Sequence, residues 1–279
     1  MGDGGAACGE DAAAFSRLVG RYRAELHVHC YRMLGSFEES GELVTEALLR
    51  AWRERESFAG HATFRTWLYR VATRACLDFL ASRPRGPLPE EARGGGPVPA
   101  GALPWLQPCP DTLLDQVVAQ EPGAGEVVAE ETIALAFVVA LQLLTPRQRA
   151  VFVLRDVLGW SARETAAALE VSVAAVNSAL QRARPAVRGR VPGRAGASEA
   201  GGDVVLRRYV EAVERGSDRR CVAAWMNRQP AVALYARRPG ERVHRAYGLE
   251  VLRVDGDRVA EVTFFAPGVF AVVGLPPTW

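Results

Sequence analysis

Apolar residues recur at helical spacing through the first third of the chain. Phe15, Leu18, Val19 and Tyr22 form one stripe, and Leu26, Cys30, Met33 and Leu34 a second. Leu43, Ala47 and Ala51, with Leu48 and Trp52, form a third, backed by Glu46, Arg50 and Arg53. A fourth runs through Trp67, Leu68, Val71, Ala75 and Phe79, and either Thr63 or Thr66 can cap it. No strand-like alternation interrupts these stripes, so residues 11–82 read as an all-α module behind a loose tail over 1–10.

The pattern then lapses. Residues 83–125 hold Arg83-Pro84-Arg85-Gly86-Pro87-Leu88-Pro89 and Gly94-Gly95-Gly96-Pro97, a composition that reads as an extended, low-structure linker. Leu103-Pro104-Trp105-Leu106-Gln107-Pro108 is its apolar exception, suited to docking on a neighbour. Helical spacing returns over 126–190. Val127 to Leu143 is apolar almost all round and predicts one well-buried helix.

Next comes a bipartite signal. Ser161 with Glu164 makes a capping box ahead of Thr165–Leu169, Glu170-Val171-Ser172 breaks the run, and Ser172 can cap a second helix. In that helix Val173, Val176, Leu180 and Ala183 share one face, leaving Asn177, Ser178, Gln181 and Arg182 pointing outward. Asn and Gln read adenine edges in a major groove, and Arg reads guanine or grips phosphate. The pair reads as a helix-turn-helix; an ordinary amphipathic hairpin with a solvated basic face fits the same pattern. After a Gly-rich linker over 191–202, residues 203–279 change character. A helix over Val204–Arg215 precedes strand-like segments at Ala231–Ala236, Arg242–Val254 and Arg258–Phe265, with Asp255-Gly256 as a hairpin turn. The fold class is therefore mainly α, with a small α+β piece at the end.

Composition sharpens this in three places. Net charge is only +2, but it is segregated: Asp111 to Glu131 carries six acids and no base, whereas Thr145 to Arg194 carries nine arginines against three acids. The second module is thus the phosphate-neutralising one. All the basic residues besides histidine are arginine, as GC-rich coding produces. The five cysteines are scattered and odd in number, which suggests free thiols in a reducing cytoplasm. His27 and His29 lie two apart, splayed on a helix, so no metal site or cofactor is expected. No apolar run is long enough to span a membrane, and the N-terminus does not read as a signal peptide.

These modules, in this order, resemble the sigma-70 family of bacterial transcription initiation factors, most nearly the extracytoplasmic-function (ECF) group. Cys30-Tyr31-Arg32-Met33-Leu34-Gly35-Ser36, Leu43-Val44-Thr45-Glu46 and Leu49-Arg50-Ala51-Trp52 carry the likeness in the first module. Phe64-Arg65-Thr66-Trp67-Leu68-Tyr69-Arg70-Val71-Ala72 resembles the family's minus-ten segment. Pro104–Pro108 and Leu154–Trp160 resemble a subgroup with an added C-terminal domain. The likeness covers about residues 11–190.

The resemblance implies core RNA polymerase and promoter DNA as partners, with an anti-sigma factor or other regulator as a candidate. It implies no cofactor, no required small molecule, no membrane association and no enzymatic activity. Polymerase docking would fall on Glu39, Glu42, Leu43, Glu46, Arg50 and Trp52. Minus-ten reading would fall on Phe64, Arg65, Trp67, Tyr69, Arg70 and Arg74, where aromatics interleave with cations as a single-strand surface requires. Taken alone, the spacing of Phe64 and Trp67 favours core packing. Minus-thirty-five reading would fall on Ser172, Ala174, Asn177, Ser178, Gln181, Arg182 and Arg184. The chain departs from the pattern at Gly41 inside the acidic cluster, a costly residue in a helix, at Arg74 where an Asn is common, and at Asn177 and Ala179 where many relatives carry Arg. The tail resembles a SnoaL-like, NTF2-like domain that lacks the several dozen pocket-lining residues normally found between Trp225 and Gln229. Two other readings compete. One is a helix-turn-helix regulator gated by a small molecule in the tail. The other is an enzyme using His244, Asp255, Asp257 and Glu261.

Overall fold

A computed structural model describes residues 13–58, 63–86, 102–120, 129–188, 191, 199–215 and 217–279. The expected tail over 1–10, the Gly-rich centre of the first linker and most of the second lie outside them. After a helix over 13–20, α1 (Arg23–Leu34), α2 (Phe37–Arg53) and α3 (Phe64–Ser82) form the first module. Each boundary has a local cause. Gly35 ends α1 in the left-handed region at φ 75°, Ser36 caps α2 by accepting from the Glu39 N–H, and Thr63 caps α3 by accepting from the Thr66 N–H. Gly41 also has a packing reason. The His27 ring stacks on Phe37 at 4.6 Å, and a Cβ at position 41 would stand 3.2 Å from it.

The linker is not extended throughout. Leu103, Leu106 and Cys109 are buried, and Asp111–Gln120 forms helix α4, with Leu114 and Val117 buried. Its stripe of Leu113, Leu114 and Val117 is amphipathic, but it is short and sits beside a Pro-rich stretch that masks it. The single helix expected over Val127–Leu143 is also broken. Ala134 is extended (ψ 145°) and separates a short turn at Glu130–Ile133 from α5 (Leu135–Gln142). Then α6 (Pro146–Phe152), opened by a Thr145–Gln148 capping box, runs into a π-helical turn over Val153–Val157.

The helix-turn-helix follows. Helix α7 (Ala162–Leu169) opens with the Ser161–Glu164 capping box, and Glu170 closes it in the left-handed region at φ 54°. Helix α8 (Val173–Arg188) starts where Ser172 accepts from the Ala175 N–H at 3.1 Å. Val176, Leu180, Ala183 and Val187 are buried, but Val173, expected on that face, is 40% exposed at the open first turn.

Helix α9 (Glu199–Arg215) leads into an antiparallel sheet of order β1 (Arg219–Met226), β2 (Gln229–Ala236), β3 (Arg245–Asp255) and β4 (Arg258–Phe265). Strand β1 has no counterpart in the sequence reading, and β3 begins three residues later than expected. Asp255-Gly256 makes the β3–β4 turn, while Asn227 and Arg228, at φ 57° and 58°, make the β1–β2 turn. The three units do not stand apart. Buried apolar residues of α1–α3 and α5–α8 form one cluster, and the inner face of the sheet shares a second with α1, α4 and α5.

Candidate nucleic-acid interface

Helix α8 presents the groups a major-groove reader needs. Ala174, Asn177, Gln181 and Arg182 are exposed, and the Ser178 hydroxyl accepts from Arg182 at 2.7 Å. Ser172 is exposed but its hydroxyl is committed to the cap. Arg184 is held differently: its guanidinium forks onto both oxygens of Asp156, at 2.8 Å each.

The minus-ten residues on α3 divide by face. Trp67 and Tyr69 are buried, and Phe64 is half-buried in an aromatic cluster with Phe15, Tyr22, Phe58 and Trp67. In this arrangement they pack as core and form no exposed stacking surface. The cause is geometric, since Phe64, Trp67, Leu68 and Val71 share one helical stripe. The Tyr69 hydroxyl donates to Glu25 at 2.6 Å, and burial pushes its pKa well above the ordinary phenol value. Arg65 pairs with the same carboxylate. Arg70 and Arg74 face solvent, and Arg74 reaches the Glu170 carboxylate in the helix-turn-helix turn at 2.6 Å. Beside it, the Tyr69 ring meets Trp160 edge-on at 6.1 Å. Helix α3 and the helix-turn-helix therefore touch one another. The sequence reading gave Glu25, Asp156, Trp160 and Glu170 no part in these contacts. The one signal for Asp156 and Glu170 was that they are rare acids in an arginine-rich stretch.

On α2, the polymerase-docking candidates also divide. Glu42 and Glu46 are exposed, as is Leu49 at 54%, an apolar group of the quoted Leu49–Trp52 stretch that was not among the docking candidates. Leu43 is buried. Glu39 is bound by Arg85, Arg50 bridges Glu46 and Asp78, and Trp52 lies half-buried under the Arg55 guanidinium. The linker also occupies the start of α2: the Gln107 side-chain oxygen accepts from the Ser36 hydroxyl and the Glu38 N–H, both at 2.9 Å.

Buried polar groups hold the modules together. Arg149 donates to the carbonyls of Met33, Gln142 and Leu144, and Gln142 donates to the Arg32 carbonyl at 3.1 Å. Burial lowers the Arg149 pKa to about 9 and the Arg32 pKa to about 10. Asn227 joins all three units. Its amide donates to the Tyr31 hydroxyl (3.0 Å) and the Ile133 carbonyl (2.7 Å), and its oxygen accepts from the Cys109 N–H (2.8 Å). Arg228 beside it pairs with Asp111 and Asp115.

The histidines of α1 go to separate partners. His27 bonds the Phe37 carbonyl and His29 the Thr73 hydroxyl, and no metal-ligating cluster occurs among the described residues. Nor are the candidate catalytic groups of the tail brought together. His244 faces Asp218, Asp255 and Asp257 sit in the exposed turn, and Glu261 bonds Arg253. Among the described residues, no helix is long and apolar enough to cross a membrane.

A helix-turn-helix with an arginine-bearing second helix, packed on a helical module with exposed arginines, is an architecture suited to binding DNA. Residues 18–86 match the family Sigma-70 region 2, and residues 134–186 match Sigma-70, region 4. The chain is 37% identical over 318 aligned positions to the ECF RNA polymerase sigma factor SigG of Mycobacterium tuberculosis, covering 94% of this chain and 84% of that protein. It is 28% identical over 191 positions to ECF sigma factor SigW of Bacillus subtilis, covering 64% of this chain and 89% of SigW. The crystal structure of Mycobacterium tuberculosis ECF sigma factor SigJ shares the fold, with a TM-score of 0.58 at 21% identity, over 94% of this chain and 99% of SigJ. The chain belongs to the ECF RNA polymerase sigma factors. Core RNA polymerase and promoter DNA are accordingly its partners, and promoter-directed initiation its function.

Proposed function

We propose that this sigma factor rests in the closed arrangement described above and opens to direct polymerase to a promoter. The observation that carries this is the Arg74–Glu170 contact, which ties the minus-ten helix to the helix-turn-helix turn. Minus-ten and minus-thirty-five elements lie about 25 base pairs apart, or roughly 85 Å of duplex at 3.4 Å per pair. Modules in contact cannot reach both, so binding a promoter separates them.

In the open form Asn177, Gln181 and Arg182 read the distal element. Arg70 and Arg74 hold the backbone near the melted one, and Phe64 is the aromatic nearest the surface. Glu42, Glu46 and Leu49 supply the exposed face for polymerase. The C-terminal unit, through Asn227 and Arg228, stabilises the closed form. The chain acts without enzymatic activity, in the cytoplasm, and polymerase performs the chemistry. Co-purification with core polymerase, followed by promoter-dependent run-off transcription, tests this reading. Duplex binding by the isolated chain without polymerase association would instead support a helix-turn-helix repressor.

A further inference from the structure

The outer face of the C-terminal sheet is only half covered. Helix α9 lies over β1 and β2, where Val205 and Leu206 pack on Val232 and Leu234. Leu252 and Val254 of β3 join that cluster, but beyond them the face stays open, and there Tyr247, Val262 and Phe264 are 45%, 42% and 46% exposed. The opening is shaped. A Cβ at Gly248 would stand 2.2 Å from the Phe264 ring, so that ring lies flat across the strand at a position only glycine leaves free. Tyr247 adjoins it at 6.0 Å between ring centres, and the Arg219 guanidinium lies over Tyr247 at 4.8 Å.

The same end of the sheet is basic. Arg219 and Arg245 lie in register on either side of Ala236, with Arg237 just past the end of β2 and Arg238 and Arg242 in the connecting loop. Of the facing acids, Asp218 is taken by Arg237 and His244, Glu241 by Arg245, and Glu250, opposite Phe264, by the Tyr209 hydroxyl. Arg238 and Arg242 are exposed, and the ion pairs formed at this end leave them out.

We propose that this platform binds single-stranded DNA, with bases stacked on Phe264 and Tyr247 and phosphates drawn to Arg219, Arg238 and Arg242. Half-exposed rings set among cations suit unstacked bases, which offer both a π-face and a negative backbone. A duplex offers only the latter. In naming DNA, the species promoter opening supplies, the proposal rests on the sigma-factor reading. Tyr247 and the arginines lie at the opposite end of the sheet from the Asn227–Arg228 turn and Phe264 lies midway, in the row of Glu250 and Val232, so the rings stay accessible while that turn is anchored.

The test is fluorescence anisotropy of the full-length chain with labelled oligo(dT), oligo(U) and a duplex of equal length, without polymerase. Oligo(dT) binds tightest. Phe264→Leu, which keeps an apolar group over Gly248 but removes the π-face, weakens it about ten-fold. Arg238→Ala with Arg242→Ala lowers the slope of log affinity against log salt by about 1.4. Equal binding of the duplex, tighter binding of oligo(U), or indifference to Phe264→Leu overturns the proposal. So does concentration-dependent self-association that Phe264→Leu abolishes, which would make the face a contact between copies. Oligo(dT) binding lost with Arg70→Ala and Arg74→Ala but unmoved by Phe264→Leu also overturns it, while leaving the sigma-factor reading intact. Failed co-purification with polymerase would sink that reading without touching the platform measurement.

Discussion

The Asn227 side-chain amide donates to the Tyr31 hydroxyl at 3.0 Å, across 196 residues of sequence. Asn suits this position twice over, because it tolerates φ 57° and because its amide satisfies three buried partners. Asn227→Gly keeps the backbone geometry and strands the Ile133 carbonyl and the Cys109 N–H, while the Tyr31 hydroxyl keeps its bond to the Gln107 carbonyl at 2.9 Å. The expected cost is about 2–4 kcal/mol, read as a lower thermal midpoint. Protease sensitivity should rise in the segment around residues 102–111. A variant as stable and as resistant as the parent would remove the C-terminal unit from holding the closed form.

Arg74 and Glu170 are both well exposed, with side chains 59% and 67% accessible, so their pair adds about 0–1 kcal/mol to stability. Its effect on function should be larger than that. Glu170→Asn keeps a residue that tolerates the left-handed turn, frees Arg74 and removes an acid from the DNA-facing side. Thermal stability should hardly change while affinity of the free chain for promoter DNA rises. Unchanged affinity would mean the contact does not limit opening.

What the chain reveals by inspection is what neighbours in sequence decide. The caps at Ser161 and Ser172 and the stripe of Val176, Leu180 and Ala183 involve residues at most a few turns apart, and all are found in place. The break at Ala134 carries no Gly or Pro to announce it; Gln229 accepts from the Leu135 N–H there, a partner 94 residues away. Strand β1 was hidden because its alternation is weak, with most of its side chains half-buried between helix and edge. The site suffered most. Whether Trp67 faces DNA or core, and whether Arg74 and Arg184 are free or matched with Glu170 and Asp156, depends on which modules pack together. No local pattern encodes that.

Arg182 and Arg184 sit two residues apart yet should behave differently in the free chain. Arg182 bonds only the Ser178 hydroxyl on its own helix, whereas Arg184 is forked onto Asp156. Arg182→Ala should weaken promoter binding and lower the salt slope by about 0.9, the value for one phosphate contact. Arg184→Ala should also cost stability, and Asp156→Asn should strengthen DNA binding by releasing the guanidinium. Equal, purely electrostatic effects of the two arginine variants would show that the Asp156 fork opens freely.

His29 makes stability depend on pH. Burial, aided by the nearby Arg32 charge, lowers its pKa from 6.5 to about 3, and its Nε2 meets the Thr73 hydroxyl at 2.8 Å. The folded chain therefore keeps this imidazole neutral, while the unfolded chain protonates it below pH 6.5. Between those values the unfolded state binds the extra proton, so stability is fully present above about pH 6.5 and falls as pH drops toward 3. The slope is at most about 1.4 kcal/mol per pH unit for this one group. His29→Gln keeps a polar partner for Thr73 but cannot titrate. It should be less stable than the parent at neutral pH and lose less on acidification, so that the two urea-denaturation curves converge between pH 6.5 and 4.5. Parallel loss of stability in both proteins would show that His29 is not the group that charges.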